Sequence, residues 1–143
     1  MAKKDLHTLI RIRKWDVEER QRALGLLLRD EERILEFQRK LAEALAAERA
    51  FVAKAPAEQG RTFEAYVQRC RMQREGLELA LAALRVKIEE AREHLAEAFR
   101  RHKTFEITQE QRDAAEDKEF NRVEQITMDD MGIELHRRKT AML

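Results

Sequence analysis

The chain has 143 residues, of which 40% are charged and 6% aromatic, with four glycines and one proline. This composition is typical of long solvated helices and argues against a conventional globular core. Because 29 basic side chains nearly cancel 28 acidic ones, the composition also argues against a protein whose whole surface binds DNA, RNA or anionic lipid.

The first predicted helix runs from about residue 3 to residue 55. Apolar side chains recur in alternating steps of four and three residues, the repeat of a helix that presses one narrow stripe against another helix. We call this stripe the seam, and five polar residues interrupt it in the first helix. Its positions are Leu6, Ile10, Arg13, Val17, Arg20, Leu24, Leu27, Glu31, Ile34, Gln38, Leu41, Leu45, Glu48 and Val52.

Several large apolar residues of the first helix lie outside the seam. Leu26 and Phe37 do not fit beside it, and the lone tryptophan, Trp15, points away from the expected partner helix. One interpretation is that the register frays near the helix start or that the C-terminal segment covers Trp15. The other interpretation is a docking patch.

A turn is predicted at residues 56–61. Pro56 ends the first helix, because proline lacks a backbone N–H and restricts the residue before it. Gly60 follows, and Thr62 is a candidate cap for the second helix.

The second helix is predicted over residues 62–128. Its seam is stronger than that of the first helix, since only Arg74 and His102 interrupt the apolar repeat. The positions are Phe63, Val67, Cys70, Arg74, Leu77, Leu81, Leu84, Ile88, Ala91, Leu95, Ala98, His102 and Phe105.

The two seams predict an antiparallel pairing. In such a coil the numbers of opposite residues add to a constant, and 115 aligns every pair and places the turn between Ala57 and Glu58. Polar seam residues then mostly face apolar ones, as Glu31 faces Leu84, so that long side chains reach water. We therefore predict an all-α fold, a long antiparallel two-helix coiled-coil hairpin with a C-terminal helical extension, and a single domain over residues 1–143.

A second apolar pattern lies on the outer face of the second helix. Met72, Leu79 and Val86 recur every seven residues, opposite the seam. We call them the outer stripe, and three such residues in register indicate a surface that something covers. A trimer, a bundle or a packed-down tail explains the outer stripe as well as a separate protein partner does.

Cations converge near the chain ends. The register places one basic group of the second helix beside another of the first, although a solvated helix face is the ordinary explanation for either group alone. We call the six residues the basic collar: Arg11, Arg13, Lys14, Arg100, Arg101 and Lys103.

The C-terminal part loses the seven-residue repeat after Phe105. Thr108 and Gln111 have the spacing of a capping box, so the helix either breaks near Thr108 and resumes or runs on. A weak apolar pattern returns at Phe120, and a tail is predicted over residues 129–143.

No motif for chemistry is present. The four histidines lack the helical pairing with carboxylates that metal sites use, and Cys70 in the seam is expected to be a buried apolar residue. We predict no catalytic, cofactor or metal site, and no enzymatic activity. No apolar run reaches the length of a membrane span or a secretory signal, so a cytoplasmic location is expected.

Two segments carry a resemblance to a known family. The opening Leu6-His7-Thr8-Leu9-Ile10-Arg11-Ile12-Arg13-Lys14, with Glu18-Glu19-Arg20 after it, resembles flagellar export stalk proteins of the FliJ type. Residues Asp117-Lys118-Glu119-Phe120-Asn121-Arg122-Val123-Glu124-Gln125-Ile126 look like the C-terminal helix of that family.

This resemblance implies a component of the flagellar type III export apparatus, at the flagellar base and peripheral to the inner membrane. It implies that the open end of the hairpin enters the export ATPase hexamer and that the body contacts the cytoplasmic domain of the export gate. The basic collar then suits the ATPase ring, and Met72, Leu79 and Val86 suit the gate. Export chaperones are further candidate partners.

Two other classes of function stay open. One is a structural or adaptor coil that self-associates through the outer stripe, for which a stable dimer or trimer in sedimentation is expected. The other is a nucleic-acid binder that uses the basic collar, which requires an affinity that falls steeply with salt. The resemblance itself implies no nucleic-acid partner.

Overall fold

The computed structural model describes residues 6–54 and 59–142, and this part of the chain contains two α-helices and no strand. Helix α1 spans His7–Val52, with 46 residues, and helix α2 spans Gly60–Ala141, with 82 residues. The two helices pack against each other, which confirms the predicted all-α helical hairpin. Of the predicted turn, Pro56 and its neighbours 57 and 58 lie outside the described residues.

The buried side chains follow the predicted seam. Every buried apolar residue of the described part occupies a seam position, and the other seam residues are half-buried except for three exposed charged ones, Arg20, Glu48 and Arg74. The interior is thin, because no large side chain of the described residues is fully enclosed. The buried apolar residues are Leu6, Val17, Cys70, Leu81, Ile88 and Ala98.

One compact unit comprises Trp15–Ala98, of which the structure describes all but residues 55–58. Across its seam, Nε of Arg85 donates a hydrogen bond to Oε2 of Glu31 at 3.3 Å. Glu31 was predicted to lie opposite Leu84, so this contact fits the predicted register to within one residue. The Glu31 carboxylate stays partly in water, at 25% exposure, and pairs with a cation there.

Arg74 is the one seam position of α2 in this unit that is exposed. Its Nε lies 3.7 Å from Oε1 of Glu78, one helical turn further along the same helix. A cleft of about 440 Å³ lies at this level, and Arg74 lines it together with Leu41 and Cys70.

The other unit comprises residues 6–14 and 99–142 of the described chain. Its buried contacts lie between the start of α1 and the stretch of α2 that ends at Gln109, and every described residue after Gln109 is exposed. The backbone N–H of Leu6 donates to Oε1 of Gln109 at 3.0 Å. Their numbers add to 115, the constant of the predicted pairing.

Helix α2 is continuous through Thr108, where the sequence allowed either a break or an uninterrupted helix. Oγ1 of Thr108 donates to the carbonyl of Thr104 at 2.8 Å, so it bonds back within the helix and does not cap a new one. The helix also passes the predicted boundary at residue 128 and ends at Ala141. Gly132 has no positive φ, and a single glycine costs a helix only about 1 kcal/mol, which is too little to end it.

The start of α2 also differs from the prediction. The helix begins at Gly60, so Thr62 lies in its first turn and is not the residue before it. Thr62 is exposed there, as is Gly60. Sequence spacing identifies candidate caps, but helix ends are the least reliable feature that it predicts.

Replacing Gln109 by alanine is expected to lower the free energy of unfolding by about 1 kcal/mol. Leu6 precedes α1 and has no side-chain oxygen to cap the helix, so Gln109 of α2 supplies the acceptor for its N–H. Urea unfolding measures the loss, and hydrogen exchange should quicken at residues 6–10. Gln111→Ala is the matched control, since Gln111 is exposed; equal effects of the two changes would contradict this role.

Candidate partner-binding surfaces

The basic collar lies in the unit of residues 6–14 and 99–142, and its cations come from both helices. Five of its members are exposed, and Arg13 is half-buried. Contacts between the two helices hold this region together. The backbone N–H of Leu6 donates a hydrogen bond to Gln109, and the guanidinium of Arg13 lies over the ring of Phe105, with Cζ 5.6 Å from the ring centre. The collar is therefore a surface fixed by tertiary packing, and the exposed members are Arg11, Lys14, Arg100, Arg101 and Lys103.

Arg13 differs from the other collar residues because it packs on an aromatic ring. A guanidinium over a ring face gains a cation–π attraction, and the ring shields one side of it from water. Register alone placed Arg13 opposite His102, whereas the structure places it over Phe105, three residues further along α2. Arg13 thus supports the unit itself and offers less of its charge to a partner.

A carboxylate, that of Glu106, pairs with the collar residue Lys103. Glu106 pairs with Nζ of Lys103 at 3.2 Å and accepts a hydrogen bond from Nε2 of His102 at 2.9 Å. The ammonium of Lys103 holds the pKa of Glu106 below its usual value, and His102 contributes. Because its pKa is lowered, the Glu106 carboxylate stays ionised further into the acidic range than an isolated glutamate, so its pair with Lys103 is lost only in acidic solution.

His102 is a packing residue of this unit. Its side chain is mostly buried in the seam, and its Nδ1 atom has no hydrogen-bond partner among the described residues. Together with Glu106 it fixes the turn of α2 that follows Arg100 and Arg101. Within the collar, Lys103 pairs with Glu106, whereas Arg13 packs on Phe105.

The outer stripe lies in the unit of residues 15–98. Met72, Leu79 and Val86 are 71%, 74% and 59% exposed, whereas Ile88, only two residues after Val86, is 3% exposed. The stripe is thus displayed on the side of α2 away from the seam, as its spacing predicted. Because the three side chains are exposed, no packed-down tail among the described residues covers them.

Helix α1 displays apolar residues of its own in the same unit. Trp15 is 60% exposed within a regular helix, so neither fraying nor coverage accounts for it. Trp15, Leu26 and Phe37 recur every eleven residues, which is close to three helical turns and aligns them along one side. The seven-residue period that predicts the seam does not predict this alignment, because eleven is not a multiple of seven.

No site for chemistry accompanies these surfaces. In residues 6–54 and 59–142, no three or more His, Cys, Asp or Glu side chains are grouped so that they could hold a metal ion. Neither helix in that part of the chain has a stretch long and apolar enough to span a membrane. Cys70 is buried in the seam, where its thiol packs as a small apolar group.

Comparison with known proteins identifies the family. The family model described as "Flagellar FliJ protein" matches residues 2–141. The chain belongs to the FliJ family. No curated protein and no solved structure is matched by the chain.

Membership of the FliJ family makes this chain a component of the flagellar export apparatus, which is a type III secretion system. The family is a non-catalytic part of that apparatus. The match extends over both helices and so covers the basic collar and the outer stripe alike. The partner of each surface is a separate question, because a family match assigns no role to individual residues.

Proposed function

We propose that this chain connects two parts of the flagellar export apparatus: the basic collar binds the export ATPase hexamer, and the outer stripe binds the cytoplasmic domain of the export gate. The observation that supports the proposal is that two exposed surfaces of different chemistry lie in two separate units. One carries cations from both helices, and the other carries three large apolar side chains on one helix face.

The chemistry of the collar favours an acidic partner surface. Arg11 and Lys14 on α1, with Arg100 and Arg101 on α2, are exposed charges that attract a partner over several ångströms and set its orientation. Arg13 and Lys103 contribute less, because one packs on Phe105 and the other pairs with Glu106. We assign the ring contact to the basic collar as a whole, with Arg13 also packing the unit itself.

The chemistry of the outer stripe favours burial against an apolar groove. A helix presents such anchors to a groove at positions spaced by three, four or seven residues, and Met72, Leu79 and Val86 have the seven-residue spacing. Truncating these side chains should leave the helix intact, because none of the three supports the seam. We assign the export gate as the partner of the outer stripe. The chain then associates with the inner membrane only through its protein partners.

The alternative is a structural or adaptor coil that self-associates. The exposed outer stripe favours this alternative too, because a second copy would bury the same three side chains. Sedimentation distinguishes the two functions. A monomer whose outer stripe binds the gate domain supports the export role, and a stable dimer or trimer that dissociates when the stripe is truncated supports self-association.

The direct test uses the purified full chain with the purified ATPase and the purified gate domain, each partner measured separately at several salt concentrations. We expect both to bind. Affinity for the ATPase should fall as salt is raised, because exposed charges are screened, whereas affinity for the gate should change little. Binding to neither partner would overturn the proposal, and steeply salt-dependent binding to DNA or RNA would favour the nucleic-acid function.

A further inference from the structure

The last part of α2, residues 110–141, displays large apolar side chains that nothing in the described part of the chain covers. Every residue in this range is exposed, and the helix is nonetheless continuous to Ala141. Helices of globular proteins gain most of their stability from packing an apolar face against another element. We call this range the α2 extension, and we expect it to be more stable when a partner packs against its apolar side chains.

Four large apolar side chains of the α2 extension share one face. At about 100° of rotation per residue, they lie within an arc of about 80°. They are 59% to 68% exposed, so all four are accessible to a partner. Ile126 and Ile133, which are also exposed, lie on the opposite side of the helix. We call the four residues the extension stripe: Phe120, Met128, Met131 and Leu135.

Charged residues give the extension stripe a polarity. Asp117 lies three residues before the first stripe residue, on the same side of the helix. Arg138 lies three residues after the last one, and residues 137–139 are all basic. Nε of Arg138 is 3.4 Å from Oε1 of Glu134 on its own helix, but the arginine side chain is 74% exposed, and such a surface pair contributes little. The stripe therefore has an acidic charge at its beginning and an accessible basic charge at its end.

We infer that a second copy of the chain covers the extension stripe, with the two stripes packed in antiparallel orientation. In the register we assign, Phe120 of one copy lies opposite Leu135 of the other. Asp117 then lies opposite Arg138 at both ends of the pair, because a twofold axis repeats every contact.

The polarity of the stripe selects this orientation and this partner. A parallel pair would bring Asp117 beside Asp117 and Arg138 beside Arg138, and like charges placed together disfavour association. In the antiparallel pair, the stripe is complementary to itself both in its apolar residues and in its charges. This self-complementarity is the reason for assigning the stripe to a second copy of the chain and not to a different protein.

Sedimentation of the full chain over a range of concentrations measures this pairing. We expect a reversible dimer that becomes a monomer on dilution. Replacing Phe120 and Leu135 together by alanine should raise the dissociation constant by at least roughly hundredfold, because twofold symmetry removes each side chain twice. Ile126→Ala with Ile133→Ala is the matched control on the same helix, and it should leave the dissociation constant within a few-fold of wild type.

Charge reversal tests the antiparallel orientation. Asp117→Arg alone and Arg138→Asp alone should each raise the dissociation constant by about tenfold or more, since each places like charges together at both ends of the pair. Mixing the two variants should restore a dimer, because one copy then carries two arginines where the other carries two aspartates. Recovery on mixing also shows that both variants are folded.

A wild-type chain that stays monomeric at every concentration would overturn the inference, and so would an equal effect of the isoleucine control. A mixture of the charge variants that stays monomeric would overturn the antiparallel pairing. None of these results bears on the proposed ATPase and gate contacts, which use other residues. Dissociation on truncating Met72, Leu79 and Val86 would assign the dimer to the outer stripe instead. A monomeric chain whose affinity for the ATPase or the gate falls when Phe120 and Leu135 are truncated would assign the extension stripe to that partner.

Discussion

Reversing Arg11, Lys14, Arg100 and Arg101 to glutamate is expected to lower affinity for the export ATPase hexamer by roughly hundredfold or more. Each change removes an attraction to an acidic surface and adds a repulsion. The four positions are exposed, so the helices should keep their packing. Arg13 is left in place, because it packs on Phe105 and its loss would disturb the unit itself. Titration of the ATPase at low salt measures the effect.

The control for this prediction changes the net charge equally at a different place. Four exposed arginines of α1, in the unit of residues 15–98, are reversed to glutamate instead: Arg22, Arg29, Arg33 and Arg39. If binding depends on the collar, this variant should retain most of the affinity for the ATPase. An equal loss in both variants would show that total charge matters and would contradict a role for the collar.

Truncating Met72, Leu79 and Val86 together to alanine is expected to lower affinity for the gate domain by at least roughly hundredfold. Each large side chain is mostly exposed in the free chain and becomes buried on binding, so each truncation removes apolar contact from the complex. Alanine keeps the helix favourable, and the seam is untouched. The melting temperature should therefore change little while binding is lost, which titration and thermal unfolding together establish.

Three exposed apolar residues of α1 in the same unit provide a matched control. Trp15, Leu26 and Phe51 are as exposed as the outer stripe, at 60%, 60% and 63%, and lie on the other helix. Changing them to alanine should leave gate affinity within a few-fold of wild type. If that variant loses binding as completely as the outer-stripe variant does, general surface hydrophobicity would explain the contact and the specific assignment would fail.

Much of the fold was predictable because helical periodicity is local information. The alternation of four and three residues identified Val17, Leu81 and Ile88 as seam positions, and all three are buried. The same reasoning placed Met72, Leu79 and Val86 on the exposed side of α2. The continuity of α2 through Thr108 was less predictable, because its hydroxyl suits a cap and an internal bond to Thr104 equally well in sequence.

The sequence by itself determined which faces of the helices are buried and which are exposed, since side-chain spacing fixes direction around a helix axis. Only the tertiary structure decided what each side chain touches. It placed Arg13 over Phe105, gave the N–H of Leu6 an acceptor on Gln109 and turned Arg74 away from the seam. These contacts depend on rotamers and on residues far apart in the chain, and a repeat pattern specifies neither.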